Sequence, residues 1–183
     1  SGPLVTTGDP EIVAFLETHA AEIGMTTSKV RGSPGCEILR MKNPESNRWQ
    51  RNPLKERLQD LGVLNDKHVP FCYQTASRSV RYQLLAGILD SDGYYDGKCF
   101  CLTLVNERLL DDAIFVARSL GFAAYKRPVR KTCGNNGVTG DYWACVISGH
   151  LDRIPCKLPR HAATPRRRIK DVLVTGLSVA PIG

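Results

Sequence analysis

The 183-residue sequence has no apolar run approaching the roughly 20 residues needed to cross a bilayer. That excludes a membrane-spanning helix, and no membrane partner is expected. The opening SGPLVTTGDP lacks the basic and apolar regions of a secretion signal. A disulfide framework is missing too. The seven cysteines are odd in number and irregular in spacing, so they read as free thiols of a reducing intracellular compartment, nuclear or cytoplasmic. Cys99 and Cys101 form a C-x-C pair on one face of an expected strand. No second pair with ligand spacing accompanies them, which favours buried thiols over a zinc site. Negative charge is in deficit: 18 Asp and Glu stand against 25 Lys and Arg, a net charge of +7 with a pI near 9.2. This balance favours a polyanionic partner, nucleic acid before membrane.

What is present is a regular alternation of helical and strand patterns. In DPEIVAFLETHAAEIG (9–24), Ile12, Phe15, Leu16, Ala20 and Ile23 fall at helical spacing. Asp9 stands as N-cap, Pro10 in the first turn and Gly24 as the stop. Strands are expected at 25–31 and 36–42, joined by a Ser-Pro-Gly turn, and a second helix over 52–62. A Pro-containing connector, NDKHVPFCYQTAS, leads to LLAGILDSDGYYDG (84–97). There an apolar helical run carries Gly87, a residue costing about 1 kcal/mol against Ala in a helix interior. A run bearing that cost needs the missing side chain for close packing, and it closes on two carboxylates, Asp90 and Asp92. A strand follows at 98–105, a helix at 106–121, and strands at 122–130 and 141–149 around the turn CGNNGVTG.

The two halves repeat at an offset of 97: Thr6 falls on Thr103, Asp9 on Asn106, Ile12 on Leu109, Ala20 on Ala117, Gly24 on Gly121 and Lys29 on Lys126. Each half reads strand, capped helix, Gly stop, basic strand, turn, strand. This implies duplicated α/β halves about a pseudo-twofold axis. The same offset puts the counterpart of Leu85–Gly93 about four to twelve residues before Ser1, so the chain is expected to start just after a first copy of that motif.

Leu85-Ala86-Gly87-Ile88-Leu89-Asp90-Ser91-Asp92-Gly93 resembles the signature of the LAGLIDADG homing endonucleases along all nine positions. Lys67-His68-Val69-Pro70 resembles the Lys-x-Ile-Pro stretch of intein-encoded members. RIKDVLVTGLSVAPIG, at the end of the chain, resembles the re-entry into the splicing domain of inteins in a fungal pre-mRNA-processing splicing factor. The resemblance implies an α+β fold of two pseudo-symmetric half-domains, each a small antiparallel sheet with flanking helices, the sheets forming a DNA-binding saddle. The expected divisions are a first half over 1–78, a second over 79–163 and a basic linker and strand over 164–183.

By the same resemblance the two motif helices pack against each other through Leu85, Ala86, Gly87 and Ile88. Asp92 then faces the scissile phosphate and holds a divalent metal, normally Mg²⁺. A carboxylate is a hard oxygen ligand suited to that ion, which polarises phosphate and activates water. Asp90 is expected to be a structural or capping acid. Lys67 stands near one catalytic pocket or is simply solvated. Its second-half counterpart lies among Lys157, Arg160 and His161. The family often has Lys near the place of His161, and an exposed loop histidine is the commoner alternative to a phosphate partner. DNA contacts fall to basic strand residues: Lys29, Arg31, Arg40 and Lys42 in the first half, and Lys98, Lys126, Arg127, Arg130 and Lys131 in the second. PRRRIK (165–170) reads as a backbone contact, a solvated linker or a weak nuclear signal.

The implied activity is site-specific, metal-dependent double-strand cleavage of DNA at an empty insertion site, by a monomer attached to an intein splicing domain. The sequence ends in Pro181-Ile182-Gly183 without a terminal His-Asn, so this stretch alone is expected not to splice. The alternatives are a cleavage-inactive DNA-binding relic and an RNA maturase.

Overall fold

The computed structural model describes residues 2–30, 32, 35–45, 52–132, 137 and 139–165. The chain divides into two compact units, Ser1–Pro70 with Lys157–Pro159 and Phe71–Cys156 with Arg160–Gly183. Both are α+β, built on antiparallel sheets.

The first unit runs β1 (Leu4–Thr7), α1 (Pro10–Glu22), β2 (Thr26–Val30), β3 (Glu37–Lys42) and α2 (Pro53–Asp60). Asp9 occupies the N-cap of α1 with Pro10 behind it. Gly24 ends the turn at φ 68°, a left-handed conformation that glycine adopts without steric cost. The sheet order is β1-β3-β2. Asn52 caps α2 by accepting from the Lys55 N–H at 3.1 Å, and its Nδ2 donates to the Met41 carbonyl at 3.0 Å. One side chain thus starts α2 and ties it to β3. The core is small, with Ala20, Met25 and Met41 packed together against Leu54.

The second unit is larger. A short helix α3 (Phe71–Gln74) leads into α4 (Arg78–Asp92), then β4 (Gly93–Tyr95), β5 (Phe100–Leu104), α5 (Glu107–Ser119), β6 (Ala123–Thr132) and β7 (Thr139–Ser148). Single 3-10 turns follow at Leu151–Arg153 and Pro159–His161. The sheet order is β4-β5-β7-β6. One core joins Leu85 and Leu89 of α4, Leu110, Ile114 and Val116 of α5, and Phe100, Leu102, Cys145 and Ile147 of the sheet. Each such aliphatic or aromatic side chain contributes about 1.5–3 kcal/mol when fully buried, so this core anchors the unit.

The internal repeat is visible in the backbone. Adding 97 to β1, α1 and β2 gives 101–104, 107–119 and 123–127, which lie within β5, on α5 and within β6. Gly121, the counterpart of Gly24, also has positive φ, at 93°. The third strand follows a different offset. The pairing Leu4↔Arg40 maps to Cys101↔Val146, and Thr26↔Lys42 maps to Ala123↔Ser148, a shift of 106 on β3. The β6–β7 hairpin is therefore nine residues longer than the β2–β3 hairpin, with the strand pairing otherwise retained.

Two elements differ from the sequence expectation. The connector before the motif contains α3, and the motif is followed at once by β4, with no intervening loop. Most of PRRRIK and all of the residues from Ile169 to the C-terminus lie outside the described residues.

Candidate functional site

Helix α4 is fixed at its start. Ser77 accepts from the Val80 N–H at 3.4 Å as N-cap. Arg78 donates to the Leu120 carbonyl at 3.2 Å and Arg81 to that of Ser119 at 3.2 Å. These guanidinium groups cover the orphan carbonyls that end α5, where the helix dipole favours positive charge. From there Leu85, Ala86 and Leu89 point into the core of their own unit. Gly87 is exposed, and a Cβ built on it would meet nothing within 4 Å. The close packing expected at Ala86 and Gly87 is thus divided: Ala86 packs inward with Leu85, while Gly87 faces open space among the described residues and Ile88 is half-buried.

The far end of α4 is built differently. Gly93 caps it in extended backbone, φ −85° and ψ 158°, and starts β4 directly. A Cβ on Gly93 would stand 2.5 Å from the Leu89 carbonyl oxygen and 2.9 Å from the Leu89 Cα. Only glycine permits the helix to turn into a strand without a loop here. The two motif carboxylates flank this corner in opposite environments. Asp92 is exposed, and its Oδ2 accepts from Ser91 Oγ at 2.9 Å. The last turn of α4 holds no basic residue, so an exposed carboxylate lies at the negative end of a helix dipole. That arrangement favours a bound cation.

Asp90, by contrast, is 7% exposed and His161 only 3%. His161 Nδ1 donates to Asp90 Oδ1 at 3.1 Å, and the imidazole packs edge-on against Phe100 at 5.7 Å between ring centroids. His161 is therefore not the exposed loop histidine the sequence suggests. The 3-10 turn Pro159–His161 carries it beneath the end of α4, where it holds the structural acid of the motif. Lys67 and Lys157 are both exposed. Lys67 belongs to the first unit, and the Lys157 ammonium sits 5.2 Å from the Phe15 ring centroid, a cation–π geometry.

Sheet register sorts the basic residues. In β6, Ala124 is buried in the core, and Lys126 shares its face. The Lys126 Nζ donates to Asp111 at 2.8 Å and to Glu107, both on α5, and lies 4.5 Å from the Trp143 ring centroid. These hydrogen bonds, that to Asp111 first, raise its pKa. Arg130 falls on the same helix-facing side, beside Asp141 at 3.9 Å. Lys29, the repeat counterpart of Lys126, behaves alike: it pairs with Leu39, which is buried, and donates to Glu37 at 2.9 Å, which raises its pKa. Both duplicated lysines are therefore turned from the open sheet faces into ion pairs. The alternation rule, applied to a run of charges without fixing its phase, had grouped them with the surface set. Arg31 lies outside the described residues.

The open faces carry the remainder. In the first sheet, Arg40 and Lys42 alternate with buried Leu39 and Met41 and so share the face of Ser28 and Thr26. In the second, Tyr94, Cys101, Val146 and Tyr125 form one row across four strands. Arg127, Ala144 and Thr103 form the next, followed by Val129 with Tyr142 and Lys131 with Gly140. Tyr94 and Tyr125 are 67% and 62% exposed. Lys131 reaches across to donate to Thr103 Oγ1 at 3.1 Å. Lys98 stands in the β4–β5 turn, where Asp96 accepts from the backbone N–H groups of Cys99 and Lys98; these bonds lower the Asp96 pKa. The tyrosines were missed in the sequence, although Tyr125 lies in phase with Arg127 and could have been found by alternation.

Residues 68–152 match the family model described as homing endonuclease. Over this segment the chain is similar to homing endonuclease domains. In fold the chain is similar to mesophilic variants of the homing endonuclease I-DmoI, with a TM-score of 0.52 at 14% identity, over 82% of this chain and 70% of that one. It has the LAGLIDADG fold. Over 70 residues it is 40% identical to replicative DNA helicase DnaB of Mycobacterium intracellulare, a match spanning 38% of this chain and 12% of the helicase.

Two contrasts inside the motif are open to measurement. Gly93→Ala forces its Cβ against backbone and should cost about 1–3 kcal/mol, whereas Gly87→Ala should be neutral or gain up to about 1 kcal/mol. Asp90→Asn should lose about 1–3 kcal/mol by weakening a buried hydrogen-bonded acceptor. Asp92→Asn should gain about 0.3–1 kcal/mol by relieving the helix end. Urea denaturation of the four variants checks both pairs, and equal effects at the paired positions would contradict this account of the corner.

Proposed function

We propose that this chain is the DNA-cleaving part of an intein: a site-specific endonuclease that hydrolyses both strands of duplex DNA with a divalent metal, Mg²⁺ being the expected ion. The observation that carries the reading is the placement of Asp92. The first eight motif residues, Leu85–Asp92, form the second half of α4, Gly93 starts β4, and the final acid emerges exposed at that corner. Asp92 fits a hard divalent ion: Ser91 occupies one oxygen as a donor, and no base from the last turn neutralises the carboxylate. When bound, such an ion polarises a phosphate and lowers the pKa of water. The protein's part is to hold a carboxylate at a fixed point, through the Gly93 corner and the buried Asp90–His161 pair. Lys67 and Lys157, exposed on the other unit, are further cations of a kind suited to backbone phosphates.

The open faces suit a duplex. Arg40, Lys42, Arg127 and Lys131 provide cations, Tyr94, Tyr125 and Tyr142 provide flat and hydrogen-bonding groups, and small residues between them leave room for a groove edge. In this reading the chain acts as a monomer. The intein setting is supported by the stretch resembling a splicing-domain re-entry, and by the similarity of 70 residues to a replicative helicase over 12% of its length. A similarity confined to so small a fraction of a helicase suits an inserted element.

The full precursor should cleave a duplex carrying the uninterrupted insertion allele in Mg²⁺ and not in EDTA. Asp92→Asn should slow cleavage by at least about 100-fold, the scale of losing a catalytic charge stabiliser, while DNA binding persists. Wild-type cleavage by that variant would remove Asp92 from the chemistry, and binding without cleavage by the wild type would favour a relic.

The sorting of lysines gives a separate expectation. Arg127→Ala and Lys131→Ala should each reduce the slope of log affinity against log salt by about 0.9, one phosphate contact apiece. Lys126→Ala should leave the slope unchanged, because its charge is spent on Glu107 and Asp111. Fluorescence anisotropy titrations at several salt concentrations read this directly, and a slope change confined to Lys126→Ala would reverse the assignment of faces.

A further inference from the structure

Beneath the motif corner lies a cluster that the proposed chemistry does not use. Asp90, Cys156 and His161 each offer one ligand atom, and all three atoms lie within 4.8 Å of one another. Asp90 and His161 are buried and Cys156 is half-buried. We propose that these residues form a three-ligand transition-metal site, taking Zn²⁺, distinct from the hydrolytic metal at Asp92.

The donor set is selective. Thiolate, imidazole and carboxylate are all zinc ligands, whereas Mg²⁺ prefers oxygen donors and retains its waters. Ligand atoms around a tetrahedral Zn²⁺ lie about 3.3–3.8 Å apart, from metal–ligand bonds of about 2.0–2.3 Å. The 3.1 Å between His161 Nδ1 and Asp90 Oδ1 and the 4.8 Å limit on the cluster bracket that spacing, so side-chain adjustment suffices. Cys156 and His161 are separated by four residues, so a short segment brings both to Asp90. Burial adds to the case. In the metal-free site desolvation and then Asp90 push the Cys156 thiol pKa up to about 12, so the thiol keeps its proton there. A dication replaces that arrangement. The ring hydrogen moves from Nδ1 to Nε2, the thiol proton leaves to solvent, and one proton is released per metal bound. The fourth position is left to water.

Such an ion would lock the end of α4 to Cys156 and His161 of the same unit. Cys156 and His161 lie beyond residues 68–152 matched by the homing endonuclease model, so the site is an addition to that stretch.

The test uses the 183-residue chain purified without chelator. Elemental analysis should find about one zinc per chain, retained through dialysis against excess Mg²⁺. Replacement by Co²⁺ should give the intense visible bands of a four-coordinate ion together with a thiolate-to-cobalt charge-transfer band. Cys156→Ser should abolish that charge-transfer band, His161→Gln should abolish stoichiometric binding, and Asp92→Asn should leave both intact. Because a ligand variant could fail to fold, wild-type protection stands beside them: Zn²⁺ should shield Cys156 from alkylation, read by peptide mass, and EDTA should restore labelling. Substoichiometric zinc in the wild type, a charge-transfer band that survives Cys156→Ser, or labelling of Cys156 indifferent to metal would each overturn the site.

Discussion

The corner at Gly93 constrains everything placed around it. A helix that passes straight into a strand has no loop in which to absorb error, so the direction of α4 sets the start of the sheet, and the sheet sets the direction of the helix end. The Leu89 carbonyl oxygen stands only 2.5 Å from where a Cβ of residue 93 would be. The outcome is that two acids only two residues apart live in unlike surroundings. One is sealed under the corner with an imidazole, and the other is turned out to solvent. The motif reads as nine residues, but its geometry depends on residue 161, more than sixty positions downstream.

Duplication has left a clear record in what was kept. The strand–helix–strand core carries over with one offset, down to a positive-φ glycine after each helix. Kept with it is a lysine on the helix-facing side of the following strand, held by acids in both halves. Those lysines serve the fold, joining the sheet to carboxylates nearby. The open faces were free to diverge: Ser28 and Arg40 on one sheet, Tyr125 and Arg127 on the other.

Much of this was legible in the residue order, for identifiable reasons. Helices α1 and α5 announced themselves by N-caps, apolar spacing and terminal glycines, and the repeat fixed β1 and β2 against β5 and β6. The third strand escaped the single offset because a hairpin can lengthen by nine residues without disturbing its register. Elements α3 and β4 are four and three residues long, too short to show any period. The face of Lys126 is not legible in a cluster of charges, which ignores strand phase, whereas buried Ala124 fixes it. The Asp90–His161 pair left no trace in the sequence, since nothing local links residues 71 apart.

The longer hairpin gives the two halves different rulers. Strands β6 and β7 are ten residues each, and at about 3.3 Å per residue they extend some 33 Å. Successive base pairs of a duplex rise about 3.4 Å, so that hairpin matches roughly ten steps, close to one full turn. The five and six residues of β2 and β3 match about half as many. A target read by such a chain would be lopsided, with more tightly specified positions on one arm than on the other.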